Sequence, residues 1–139
     1  MTMSGEHGPM LDPLRDKLDV RAQLDRSRLL VMGGTGFLGK VWLSMLLHHF
    51  PEVAHIYLVV RPRKRHGEMV QDSAARFWAE IAPSAVFDPV RERYPGGAYE
   101  AMLTEKITVI PGDVTEPFAG IPETVRDEIR GTLTAIVNA

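Results

Sequence analysis

The chain has 139 residues, about one small domain, and its 16 basic and 18 acidic side chains leave a formal net charge of −2. That balance excludes a general nucleic-acid binder, which needs a basic surface to displace counterions. There is no cysteine, so disulfides, thiolate catalysis and cysteine-ligated zinc are excluded too.

No apolar run approaches the roughly 20 residues that span a bilayer. The opening MTMSGEHGPM lacks the apolar core of a signal peptide, so a cytoplasmic location is expected. Residues 1–10 are small, polar and rich in Gly and Pro, which predicts disorder. Residues 11–26 are charge-rich. Leu11, Leu14, Leu18 and Ala22 fall on one face of a short helix, and a solvated lead-in reads equally well. Residues 1–27 are therefore an arm ahead of a domain at 28–139.

Leu29-Leu30-Val31-Met32 is a short apolar run followed by glycines, which predicts a buried strand. Residues 37–49 have helical spacing. Leu38, Val41, Trp42 and Met45 recur at i, i+3, i+4 and i+7 as the expected core face, with Lys40, Ser44 and His48 on the polar side. Pro51 marks the end. His55–Val60 reads as a second strand closing at Arg61-Pro62. RPRKRH, residues 61–66, is the only dense basic tract. Residues 67–106 read as helices, with Ala74, Phe77, Trp78 and Ile81 at helical spacing. Asp88-Pro89 is the expected N-cap and first helical residue of a short helix to Tyr94. Pro95-Gly96-Gly97 breaks it. Ile107–Ile110 is a third strand ending at Pro111-Gly112-Asp113. Pro122 to Arg130 suits a helix with Gly131 just past its end, and Leu133–Val137 is a fourth strand.

This alternation predicts an α/β fold. It is the N-terminal half of a Rossmann-type parallel sheet, four strands in order 3-2-1-4, with flanking helices and a helical insert.

The glycine cluster in VMGGTGFLGKV, Val31–Val41, has two readings. Gly34 to Lys40 is G-x-x-x-x-G-K, most of an ATP-binding P-loop. That loop needs a Ser or Thr after its lysine to ligate Mg²⁺, and Val41 stands there. Gly33-x-x-Gly36-x-x-Gly39 is a dinucleotide loop between a strand and a helix. Gly33 permits the turn, Gly36 admits pyrophosphate, and Gly39 lets the helix pack on the strand. The pyrophosphate then meets free N–H groups at the helix N-terminus.

The ribose comes next. NAD binders place an acid at the end of the second strand to accept from the 2′-OH. Here that strand ends in Arg61, and no acid precedes Glu68. An arginine suits a 2′-phosphate, so NADP(H) is the expected cofactor. Arg63 and Lys64 follow in the same tract. Asp113, in P-G-D-V, suits the adenine amino group with the Val114 backbone beside it, or serves as a turn residue. Asn138-Ala139 is a small pair that lets backbone lie against the adenosine half. His48 and His49 are neighbours on a helix and make a poor metal pair. No metal site is expected.

These segments resemble a known family. GGTGFLGKVWLSMLL (33–47), FPEVAHIYLVVRPRKRHG (50–67), FDPVRERY (87–94) and EKITVIPGDVTEP (105–117) are similar to the NADP-binding domain of fatty acyl-CoA reductases. This is the male-sterility group of extended short-chain dehydrogenase/reductases, akin to thioester reductases. The resemblance implies that Thr35, Gly36, Phe37 and Leu38 hold pyrophosphate and that Arg61 holds the 2′-phosphate. It adds Arg76 as a second phosphate arginine, Asp113 and Val114 at adenine, and Asn138-Ala139 as the start of an N-A motif. It implies reduction of a fatty acyl thioester by NADPH.

The same family uses a Tyr-x-x-x-Lys helix. The tyrosines here, Tyr57, Tyr94 and Tyr99, are followed four residues on by Arg61, Ala98 and Leu103. The chain is therefore expected to be an N-terminal fragment without catalytic residues, with an open sheet edge through which it self-associates. The rival readings are a non-catalytic NADP-binding or redox-sensing module and another extended short-chain enzyme, such as a sugar-nucleotide epimerase.

Overall fold

A computed structural model describes residues 18–139. The expectations for residues 1–17, including Leu11 and Leu14, lie outside the described residues. Four parallel strands form one sheet: β1 (Arg28–Met32), β2 (His55–Val60), β5 (Ile107–Pro111) and β6 (Ala135–Asn138). Their order is β5-β2-β1-β6, which is the expected 3-2-1-4. Register pairs Leu30 with Tyr57 and Ile136, and Val60 with Pro111.

The strands are apolar on both sides because both faces are covered. In β2, Ile56, Leu58 and Val60 point into one core, while Tyr57 and Val59 face the other. The larger core lies under α2 (Phe37–His49) and the insert, and holds Phe77, Phe87, Tyr99 and Leu103. Each fully buried Leu, Ile or Phe there contributes about 1.5–3 kcal/mol. The smaller core lies under α6 (Glu123–Ile129), where Ile121 and Ile129 meet Leu30 and Ile110. Pro122 is the N-cap of α6 rather than its first residue.

Helix α2 buries a different face from the one its spacing predicted. Gly39, Leu43, Ser44, Leu46 and Leu47 are buried, whereas Leu38 is 71% and Met45 55% exposed. Ser44, expected on the polar side, donates its Oγ–H to the Val86 carbonyl at 2.6 Å. The short α1 (Val20–Leu24), capped by Asp19, buries no side chain, so Leu18 and Ala22 form no packed stripe.

The insert is not all helical. Residues 63–71 form an antiparallel hairpin of β3 (Arg63–Arg65) and β4 (Glu68–Gln71). Its two-residue turn is His66-Gly67, with φ of 51° and 83°. Two consecutive positive φ values make the type of turn whose twist matches a hairpin. Asp72 then caps α3 (Ser73–Arg76), accepting from Ala75 N–H at 2.7 Å. The chain continues through a π-helical turn, Phe77–Ile81. Phe77 and Ile81 are buried as expected, but Ala74 and Trp78 face solvent.

The short 3₁₀ turn Ala85–Phe87 leads into α4 (Asp88–Arg93), followed by α5 (Ala98–Lys106). Asp88 is the first residue of α4 and Phe87 its N-cap. The Asp88 carboxylate pairs instead with Arg91, whose guanidinium also donates to the Ala82 and Ser84 carbonyls at 3.0 and 2.8 Å. That arginine closes the chain reversal before the helix. No helix among the described residues is long and apolar enough to cross a membrane.

Candidate cofactor site

The glycine loop follows β1 directly. Gly33 has φ of 80°, and a Cβ there would lie 1.9 Å from the Ala139 carbonyl oxygen. A Cβ on Gly39 would lie 2.0 Å from the Gly33 carbonyl oxygen, so only glycine lets α2 start this close to the loop. Gly36 differs. It is the N-cap of α2, and a Cβ there would meet nothing nearer than 3.7 Å. Its face is open, as a cradle for an approaching group must be. Phe37 and Leu38 follow, both more than two-thirds exposed, and Thr35 is half-buried. Lys40 N–H donates to the Gly36 carbonyl and Gly36 N–H to the Gly33 carbonyl, leaving the Phe37, Leu38 and Gly39 N–H groups as the donors at the helix end.

The second part lies at the C-terminal ends of β2 and β5. A cleft of about 640 Å³ is lined by Arg61, Arg63, Lys64, Arg76, Asp113 and Glu116, among others. Four cationic side chains thus share one wall. Arg61 Nε lies 3.0 Å from Asp113 Oδ2. Arg76 donates from Nη1 to the Arg61 carbonyl at 2.8 Å, and its Nε pairs with Glu80 at 3.1 Å. Arg63 reaches the same Glu80 at 2.6 Å.

Asp113 also closes its own turn. Its Oδ1 accepts from the Thr115 hydroxyl at 2.7 Å and the Thr115 N–H at 3.0 Å. The Thr115 hydroxyl, then the Thr115 N–H, with Arg61 and Lys64 nearby, hold its carboxyl below the usual range. The turn role of Asp113 is therefore built, and Oδ2 faces Arg61. Val114 is exposed beside it. Asp113 N–H donates to the Ala119 carbonyl at 2.8 Å, within a run of left-handed residues, Phe118, Ala119 and Gly120. Asn138 ends β6 and Ala139 follows it next to the glycine loop, with Ala139 N–H donating to the Met32 carbonyl at 3.0 Å.

The structure therefore brings Arg61, Arg63, Arg76 and Asp113 to one cleft, and Gly33, Gly36, Gly39 and Ala139 to one loop. Lys64 lines the cleft as well, and Glu80 and Thr115, which were not singled out by sequence, pair with residues that line it. Lys64 stood in the basic tract, but Glu80 is an ordinary-looking helix acid.

The model of the male sterility protein family, a family of NAD-binding domains, matches residues 31–139. The chain belongs to that family. The resemblance read from its motifs is borne out, and the family match supports a nicotinamide cofactor. Among curated relatives, it is 35% identical over 101 residues to fatty acyl-CoA reductase 1 of Gallus gallus, covering 73% of this chain and 17% of the relative. It is 30% identical over 92 residues to the alcohol-forming fatty acyl-CoA reductase of Simmondsia chinensis, covering 66% of this chain and 17% of the relative. The chain thus spans about a fifth of the length of the curated relatives it matches. The reductase domain of a non-ribosomal peptide synthetase from Mycobacterium tuberculosis has the same fold, with a TM-score of 0.57 at 21% identity. That match covers 81% of this chain and 24% of the solved one. The terminal R domain of the myxalamid pathway matches with a TM-score of 0.54 at 22% identity, over the same shares.

Proposed function

We propose that this chain binds NADP(H) and is the cofactor-holding part of an NADP-dependent reductase of fatty acyl thioesters. The observation that carries the cofactor reading is the cationic wall at the end of β2. Arg61, Arg63, Lys64 and Arg76 converge there. The strand end where a 2′-OH acceptor belongs is arginine. Of the carboxylates nearby, Asp113 and Glu80 are already engaged with arginines, and Glu116 lines the cleft beyond β5.

The residues divide the work. The open face of Gly36 and the N–H groups opening α2 would hold the pyrophosphate. Arg61 and Arg76, with Arg63 and Lys64, would hold the 2′-phosphate through charge-assisted hydrogen bonds. Asp113 and Val114 would border the adenine, and Asn138-Ala139 the rest of the adenosine half. When bound, the dinucleotide would supply hydride for reduction of a thioester carbonyl. The relatives named as fatty acyl-CoA reductases support that substrate class.

In this reading the described residues hold the cofactor and do not supply the acid–base step. Tyr99 is buried in the core under α2 and the insert, where its hydroxyl donates to the Ala82 carbonyl at 2.7 Å. Tyr57 is engaged with Arg28. We therefore assign this chain cofactor binding without turnover.

The test is a titration of the chain with NADPH and with NADH, followed by fluorescence or calorimetry at two salt concentrations. NADPH is expected to bind more tightly, with a preference that shrinks as salt rises. Equal affinities would remove the 2′-phosphate reading.

A further inference from the structure

We infer that Glu80 is a positioning residue of this cleft, holding Arg63 and Arg76 for the 2′-phosphate. The inference rests on the NADP reading above and deepens it. Glu80 lies in the π-helical turn Phe77–Ile81, a kind of irregularity that concentrates at functional sites. Its two oxygens are divided between arginines from different elements. Oε1 lies 2.6 Å from Arg63 Nη2 of the hairpin, and Oε2 lies 3.1 Å from Arg76 Nε of α3.

Arg76 Nη1 is aimed at the Arg61 carbonyl, so a single carboxylate organises the wall from the hairpin to the end of β2. Arg76 is the best-held of the three, with 21% of its side chain exposed against 68% for Arg61 and 54% for Arg63. Strands β3 and β4 bury no residue, and an isolated two-stranded hairpin is marginal in water. Among the described residues, the Arg63–Glu80 pair is the only ion pair tying this hairpin to the rest of the insert.

Removing the Glu80 carboxylate has two opposed effects on phosphate binding. It deletes a repelling charge, which is screened in an open, wet cleft. It also frees two long side chains that must then be ordered on binding. The ordering of two arginines outweighs one screened charge. An exposed ion pair adds little to folding, so the effect belongs to binding and not to unfolding temperature.

The experiment compares the wild-type chain with Glu80→Ala and Glu80→Gln. It reads affinities for NADPH and NADH, thermal unfolding, and tryptic cleavage after Arg63, Lys64 and Arg65. Glu80→Ala is expected to weaken NADPH binding about tenfold. NADH binding and unfolding temperature should stay as they are, and hairpin cleavage should accelerate. Glu80→Gln keeps one acceptor oxygen and should fall between; if the alanine variant does not fold, it carries the comparison. A wild type without NADPH preference overturns both this inference and the cofactor reading. A wild type that prefers NADPH, with Glu80 variants that bind it as tightly or more tightly, overturns the role of Glu80 alone.

Discussion

Arg61 Nε sits 3.0 Å from Asp113 Oδ2, joining the ends of β2 and β5 across the mouth of the cleft. The sheet makes this contact: Val60 pairs with Pro111, so the residues just beyond each strand emerge side by side. The pair is exposed, and such pairs add about 0–1 kcal/mol to stability. Its value lies in fixing a guanidinium at the strand end. Arg61→Ala should lower NADPH affinity about ten- to a hundredfold, the worth of a charged hydrogen bond. NADH affinity and unfolding temperature should barely move. Paired titrations check this, and an equal loss for both dinucleotides would sink the phosphate role.

The loop glycines separate folding from binding. A Cβ on Gly39 meets the Gly33 carbonyl at 2.0 Å, and backbone must shift to relieve it. Gly39→Ala is expected to cost about 3 kcal/mol of stability, the upper end of ordinary overpacking. Gly36 has φ of −73° and open space around its Cβ position, so Gly36→Ala should leave stability within about 1 kcal/mol. In the proposed binding mode the same methyl meets the approaching pyrophosphate, and NADPH binding should be lost. Urea denaturation and titration of both variants distinguish the two roles.

The strands and their order were legible because each is a short apolar run, the first three stopped by Gly, Pro or Arg and the fourth ending at Asn138. The buried face of α2 was not, because Phe37 to Leu47 places hydrophobic residues on nearly every side of the helix. Leu38-Val41-Trp42-Met45 and Gly39-Leu43-Leu46-Leu47 satisfy helical spacing equally well. Gly39 breaks the tie: the smallest residue must face the backbone it touches. The hairpin was hidden by its charge, since Arg63-Lys64-Arg65 carries no alternation to read. His66-Gly67 was the available signal, as both residue types tolerate positive φ. Arg61 and Asp113 could be placed because strand ends fix them. Glu80 could not, because its partners are brought to it by a hairpin and a π turn.

Ser44 tests the corrected face. Its hydroxyl is buried and spans from α2 to the Val86 carbonyl in the insert. Ser44→Ala should destabilise the chain by about 1–2 kcal/mol, because the carbonyl loses its partner in a buried setting. A solvent-facing serine would give almost nothing. The readout is a shift in the urea midpoint at constant slope.

Strand β6 is an edge of the sheet, with Ala135 and Ile136 exposed along it. An unpaired edge carrying an exposed isoleucine templates pairing with another chain. We predict concentration-dependent self-association, reduced by Ile136→Lys. Sedimentation over a range of concentrations measures it, and a wild type that stays monomeric throughout rules the edge out.

His55 sets an acid limb in the stability profile. Its ring makes a 2.7 Å hydrogen bond to Thr108 Oγ1 and meets the Tyr57 ring edge-on, with Arg28 and Lys106 close by. Burial, then the charges of Arg28 and Lys106, hold its pKa below the ordinary 6.5. The folded state thus resists a proton that the unfolded chain accepts. Stability from this group is fully present above the ordinary 6.5 and is lost progressively as pH falls toward the lowered value. Asp113 acts in a separate window, because its pKa is depressed from 3.8. Its contribution persists above that value and fades only in stronger acid. Unfolding midpoints measured from pH 7 to about pH 5 should therefore fall less steeply in His55→Asn than in wild type. Parallel slopes would assign the acid limb to another group. His48 and His49 remain in both proteins, so the difference between the two curves isolates His55.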